Sequence, residues 1–191
     1  YRPLDIIYEN SDVIFINKPS GMLSQKAKPE DVSLIEYLIA HLIHKGEINA
    51  SDLASFKPGI CNRLDRNTSG IVAAGKTTKG LQQLSEAFKL RTLGKYYLCI
   101  VKGRVEKRAL IKGYLYKDNK TNKVTISRTE IKDSLPIETE YIPVCSNGNV
   151  TLLKIHLLTG RSHQIRAHLA SIGHPLIGDY KYGSKQINDT F

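Results

Sequence analysis

Apolar residues recur along this chain with two periods. Residues 5–8 (DIIY) and 13–17 (VIFIN) are short β-branched runs, and the KPSG that follows puts proline and glycine where a turn needs them. The spacing then becomes helical in SLIEYLIAHLIHKG, with apolar residues at 34, 35, 38, 39, 42 and 43. A Ser33-x-x-Glu36 capping box opens this helix and Gly46 closes it. Residues 71–76 predict a strand, and Thr78 predicts the cap of a helix through about Leu90 with Leu81, Leu84, Ala87 and Phe88 on its buried face. Five strand-like runs come next: KYYLCIVKG, ALIKGYLY, KVTISR, IETEYIPVC and VTLLKIHLL, the last two joined by an Asn147-Gly148 hairpin turn. Helical spacing returns in SHQIRAHLASIG, ended by Gly173 with Pro175 beyond it. Strands clustered in the middle, with helices at separate places, predict an α+β fold on a central mixed, mostly antiparallel sheet flanked by helices.

Composition narrows the class. A chain of 191 residues with 41% hydrophobic content can bury a core without staples, and no repeat, low-complexity stretch or linker divides residues 1–191, so a single domain is expected. No apolar run approaches the roughly 20 residues of a membrane span and no leader precedes the first strand, which predicts a cytoplasmic protein with no membrane partner. Cys61, Cys99 and Cys145 are odd in number and widely spaced, so they are expected to be reduced and packed. Lysine and arginine number 28 against 18 acids, a formal charge of +10, which favours a polyanionic partner, RNA before DNA. A monomer is the default. The sequence starts at Tyr1 without a methionine and reads as a piece of a longer protein, with room for an upstream RNA-binding domain.

Two stretches carry candidate chemistry. In ICNRLDRNTSG, residues 60–70, Asp65 stands between Arg63 and Arg66 at the entrance to a strand. Alternating charges of this kind usually form a solvated face. An acid held between cations at a strand entrance can also stay ionised while partly desolvated, as a nucleophile must. In HLLTGRSHQIRAHLASIGHPLIGD, residues 156–179, Arg166 follows His163 by three and Leu169 follows Arg166 by three, so all three are expected on one helix face. That face either presents a cation to a buried acid or belongs to an ordinary basic amphipathic helix. Histidines 156, 163, 168 and 174 lack carboxylate or cysteine at ligand spacing, and no metal is expected. Ser69 and Ser162 are not in a nucleophile elbow, and neither phosphate-cradling motif is present. Tyr96 and Tyr97 open a strand, so their rings point to opposite faces. One of them can line a cleft, stack on an extruded base or exchange a proton, though core packing also accounts for either.

Taken in order, VIFINKPSGML, NRLDRNTSG, GKYYLCIVKG and TGRSHQIRAHLASIGHPLIGDYKYG resemble the RluA-type family of RNA pseudouridine synthases, over nearly the whole chain. The resemblance implies a catalytic domain of the pseudouridine synthase fold with a basic cleft holding Asp65. Asp65 matches the family's nucleophilic aspartate, Arg166 the arginine that pairs with it, and Tyr97 the tyrosine after lysine-x, with Tyr96 turned away. It further implies isomerisation of uridine in RNA, with large-subunit (23S) ribosomal RNA first and transfer RNA second, and without metal, redox carrier or ATP. Arg63 is expected to fill the stack left by the flipped nucleotide. Lys18, Asn62, Arg66, Arg161 and His163 are expected as further RNA contacts, and Leu64, Thr68 and Leu169 as pocket walls. Many relatives have histidine where this chain has Asn62, so no histidine role carries over. The chain also stops soon after GDYKYG, where family domains usually continue into another strand, so either the end is truncated or an edge of the fold is missing. The alternative from a different class is a silent RNA-binding module in which Asp65 only holds Arg166.

Overall fold

The computed structural model describes residues 3–190, apart from the Ile187 side chain. Two compact units divide the chain, Tyr1–Leu93 and Gly94–Phe191.

The first unit is built on a four-stranded sheet of order β1-β2-β4-β3, where β1 is Ile6–Glu9, β2 Val13–Lys18, β3 Gly59–Ile60 and β4 Gly70–Gly75. In β2 the period of two puts Ile14, Ile16 and Lys18 in one buried row. Helix α1 (Leu34–His44) buries Leu34, Leu38 and Leu42 at one-turn spacing while Ile43 faces solvent. Its start is closed by Glu36, whose carboxylate accepts the Ser33 N–H at 3.0 Å and the Ser33 hydroxyl at 2.6 Å. Helix α2 (Thr78–Lys89) is capped one residue earlier than expected. Thr77 is the cap because its hydroxyl oxygen accepts the Gly80 N–H at 3.1 Å while donating to the Asp12 carboxylate at 2.8 Å, a tertiary bond that Thr78 does not make. Close packing here requires glycine: a β-carbon on Gly80 would run into the Asp12 carbonyl oxygen, and one on Gly75 into the Leu81 backbone nitrogen.

The second unit holds a five-stranded sheet of order β5-β9-β8-β6-β7, with β5 Tyr96–Lys102, β6 Ala109–Asp118, β7 Lys123–Ser127, β8 Leu135–Ser146 and β9 Val150–Leu157. The Asn147-Gly148 turn joins β8 to β9, with Gly148 at φ +90° and the Asn147 side-chain oxygen accepting the Val150 N–H at 3.0 Å. Val101, Val105, Leu153, Ile155, Leu157 and Leu169 form its core, and helix α3 (Gln164–Ser171) packs on β7 and β8. Residues 174–177 run along the edge of β5: Lys102 N–H donates to the Pro175 carbonyl and Ile177 N–H to the Ile100 carbonyl, both at 2.9 Å. A last short helix, α4, spans Lys185–Asn188.

The α+β class and the antiparallel bias are as the sequence predicts, with the strands distributed over two sheets, one in each unit. Among the described residues the parallel pairing is an isolated bridge, Leu23 with Ser33. One expectation is corrected. Cys145 is exposed, just past the register shift of β8 and still paired with Leu152 of β9, whereas Cys61 and Cys99 are half-buried. Among the described residues no helix is long and apolar enough to cross a membrane.

His168 gives the second unit a pH signature. Its ring is 2% exposed, with Nδ1 3.0 Å from the Thr139 hydroxyl, and burial pushes its pKa down to about 4. In the unfolded chain histidine titrates near 6.5. Between those values the unfolded state binds a proton that the folded state refuses, so stability falls as pH drops through the window, by on the order of 3 kcal/mol. Urea unfolding at pH 7.5, 5.5 and 4.0 should show this loss, and His168→Gln should remove most of the slope. A slope unchanged by that substitution would show that other groups set it.

Candidate active site

The loop carrying Asp65 is fixed through its main chain. Before it, Asn62 stands in for a strand residue beside β4: its amide oxygen accepts the Ala73 N–H at 2.8 Å and its amide nitrogen donates to the Ile71 carbonyl at 3.1 Å. At Leu64 the Ser24 hydroxyl bonds twice, accepting the N–H at 3.0 Å and donating to the carbonyl at 2.8 Å. The Arg66 carbonyl accepts from Gly21 N–H at 2.8 Å and from the Lys18 ammonium at 3.1 Å, and the Asn67 carbonyl accepts from the Ser20 hydroxyl at 3.0 Å. Thr68 N–H closes the turn on the Asp65 carbonyl at 3.0 Å. Residues 18–24 therefore grip the chain on both sides of Asp65.

Lys18 is the centre of that grip. It is fully buried, and its ammonium also donates to the carbonyls of Pro19 at 2.9 Å and Met22 at 2.8 Å, so all three donors are used. Burial pushes its pKa below the usual lysine range, and the negative charge of Asp65 acts the other way. The expected RNA contact at Lys18 is thus corrected, because this side chain has no surface to offer. Asn62 is likewise accounted for by its bonds to β4. Leu64 is buried beneath the loop, Asp65 and Thr68 are half-buried, and Arg63 and Arg66 are exposed.

In the second unit Tyr97 shares the inner face of β5 with Cys99 and Val101 and packs against the core. Tyr96 is on the opposite face, 56% exposed, stacked on His156 with ring centroids 4.6 Å apart and with the Lys154 ammonium 4.7 Å from its ring. Helix α3 starts later than its periodicity predicts. His163 is its N-cap, in the left-handed region at φ 56°, and so does not share a helix face with Arg166 and Leu169. The cause is Gln164, which is 2% exposed. Its amide oxygen accepts from Arg161 N–H at 3.1 Å and the Thr159 hydroxyl at 2.9 Å, and its amide nitrogen donates to the Glu138 carbonyl at 3.1 Å and Thr139 Oγ1 at 3.0 Å. That clamp forces the turn at 159–163 and leaves Arg161 exposed. Leu169 is 0% exposed and belongs to the core behind α3, which corrects its expected place on a pocket wall.

Arg166 is held by residues to which the sequence reading gave no role. Its Nε and Nη2 donate to the two carboxylate oxygens of Asp179, at 2.7 and 3.0 Å, and its Cζ is 5.1 Å from the centre of the Tyr182 ring. Burial would raise the pKa of Asp179, but the Arg166 bonds and charge, with N–H donors from Lys181 and Tyr182, outweigh it and hold the carboxyl below its usual range. A signal was present: Asp179 is the only acid between Glu140 and Asp189. The four histidines of this unit have separate partners: His156 meets Glu140, His163 Tyr182, His168 Thr139 and His174 the Lys102 carbonyl. Among the described residues no group of three or more histidine, cysteine or acidic side chains is placed to hold a metal.

One loop thus holds a half-buried carboxylate near a buried ammonium, and one helix holds a guanidinium pinned by an acid. A chain with these features, matched over residues 12–171 by the family model for RNA pseudouridylate synthase, belongs to the RNA pseudouridine synthases of the RluA type. It is 35% identical over 184 residues to ribosomal large subunit pseudouridine synthase D of Borreliella burgdorferi, covering 95% of this chain and 55% of that protein. The protein of the same name from Nitrosomonas europaea is 32% identical over 185 residues, covering 95% and 50%. The chain therefore spans about half the length of these relatives. Its fold is also that of human RNA pseudouridylate synthase domain containing 1, with a TM-score of 0.75 at 22% identity, covering 98% of this chain and 73% of the human one.

Removing the Ser24 hydroxyl tests the grip on the loop. Ser24→Ala strands the buried N–H and carbonyl of Leu64 and should lower stability by about 2 kcal/mol, read from urea unfolding. Stability equal to wild type would mean that the hydroxyl does not hold the loop.

Proposed function

We propose that this protein converts uridine to pseudouridine in RNA, with Asp65 as nucleophile, Arg166 as the cation paired with it, and Tyr97 as the ring that handles a proton. The observation that carries the reading is the loop at 64–67, gripped on both sides of its single acid by residues 18–24, in a chain of this family. The reaction breaks the bond from C1′ of the ribose to N1 of uracil and forms one from C1′ to C5. The C5 proton leaves and N1 gains one, so composition is unchanged. No electron donor or phosphoryl group enters. Whether Asp65 attacks the base, attacks C1′ or drives elimination, the demand is the same: an ionised carboxylate in a site from which water has been excluded, with a cation beside it. Tyr97, directly or through a water, is the acceptor for the C5 proton.

In a folded RNA the target base must leave its stack, at a cost of a few kcal/mol. Arg63 is exposed and adjacent to the loop, and its planar guanidinium fills the gap. Arg66 and Arg161, also exposed, meet phosphates. Large-subunit ribosomal RNA is the favoured substrate, supported by the names of the relatives, with transfer RNA second. The two units are taken to act as one catalytic domain in a monomer.

Asp65→Asn should abolish pseudouridine formation on a large-subunit RNA transcript while RNA affinity stays within about twofold of wild type. Product from that variant would remove Asp65 from its role, and a wild-type protein that binds RNA yet isomerises no uridine would establish the binding module instead. Arg63→Ala should slow the reaction on a structured stem-loop by roughly tenfold more than on a loose loop, the factor expected for one lost stacking contact. Equal losses on the two substrates would count against the gap-filling role.

A further inference from the structure

We infer that Asp179 and Tyr182 are positioning residues that fix the plane and the rotation of the Arg166 guanidinium, an inference that rests on the role proposed above for Arg166. An arginine side chain left to itself samples many rotamers, and an ion pair that must order it loses most of its net value. Arg166 is ordered from two directions. Its Nε and Nη2 form a two-point fork on Asp179, which fixes both the plane of the guanidinium and the rotation of that plane. The Tyr182 ring covers one face. A fork that uses Nε and one Nη2 hydrogen leaves the Nη1 end of the group turned away from Asp179.

The two holders are themselves held. Asp179 is 8% exposed, and its Oδ1 also accepts N–H from Lys181 at 2.9 Å and from Tyr182 at 3.2 Å. Its own carbonyl accepts Gly183 N–H at 2.8 Å, at a place where a β-carbon on Gly183 would collide with that oxygen. The Tyr182 hydroxyl accepts Val124 N–H at 3.0 Å and is 2.7 Å from His163 Nδ1, on the left-handed residue that starts α3. The GDYKYG turn is thus a closed bracket around Arg166, preformed by main-chain bonds before any RNA arrives. Such preorganisation matters because a misplacement of about 1 Å can slow a reaction by about a hundredfold.

The test separates this role from the function itself by using two readouts. The first needs no RNA: the Arg166 Nε–H signal in a ¹⁵N-labelled protein should be resolved and slow to exchange in wild type, and should merge with the mobile arginines in Asp179→Asn. The second is the single-turnover rate on the RNA substrate, which Asp179→Asn should lower about tenfold to a hundredfold with RNA affinity retained. In an Arg166→Ala background the same substitution should add little, because Asp179 acts through Arg166. Should Asp179→Asn fail to fold, Tyr182→Leu and Tyr182→Phe take its place: loss of the ring should mobilise the Arg166 signal and slow the reaction more than loss of the hydroxyl alone. An unchanged Arg166 signal in Asp179→Asn, or equal losses of rate with and without the Arg166 side chain, would overturn the inference. If the wild-type protein isomerises no uridine, the function reading falls while the Arg166 signal still decides whether Asp179 holds that side chain.

Discussion

The ammonium of Lys18, buried at the end of β2, is the interaction on which the Asp65 loop depends. Taking a lysine out of water costs several kcal/mol unless its donors are satisfied and a compensating charge is near. Here the three donors end on the carbonyls of Pro19, Met22 and Arg66, the last of these next to Asp65, whose charge supports the ammonium. Burial of the lysine is therefore tolerable only when the loop has closed over it. Formation of β2, which drives Lys18 inward on the same row as Ile14 and Ile16, is in this way coupled to the placement of Asp65.

Much of this architecture could be read from local pattern, and the exceptions have a common cause. Strands β2, β5, β8 and β9 and helix α1 announce themselves because each repeats its period over several residues, and the capping box and the Asn147-Gly148 turn are local chemistry. The two-residue β3, the 3-10 turn at Ala50–Ala54 and the short helix α4 have no period to display. His163 is read as helical from spacing, yet the Gln164 clamp, whose partners come from residues 138–161, overrides its local preference. Lys18 is the instructive failure. Alternation places it inside, charge argues for the surface, and the pattern of alternation prevails because three carbonyls wait at the inner position.

The candidate site divides in the same way. Asp65 stands out in the sequence as one acid between cations, whereas Asp179 is marked only as the lone acid between Glu140 and Asp189. Only the first is legible locally, because a lone acid becomes informative when its cation is known, and Arg166 lies 13 residues away on an element that must fold back before the pair exists. Resemblance to a family supplies the roles proposed for Asp65, Tyr97 and Arg166. What it cannot supply is the reason that VIFINKPSGML and GDYKYG accompany them, and the bond patterns of the two units give that reason: each segment is the bracket of one charged side chain.

The brackets differ in kind, and the chemistry of the two groups explains the difference. The grip of residues 18–24 passes through the carbonyls at 64, 66 and 67, that is, through main chain on either side of the acid. Main-chain anchors of this kind fix where the side chain of residue 65 begins, whatever its carboxylate meets. A guanidinium tolerates direct anchoring. It keeps its proton at any pH at which the protein is folded, so a direct fork from Asp179 fixes Arg166 without altering its charge state. The Asp65 loop is held by its main chain, and the cation, whose charge no hydrogen bond removes, is held by its own nitrogens.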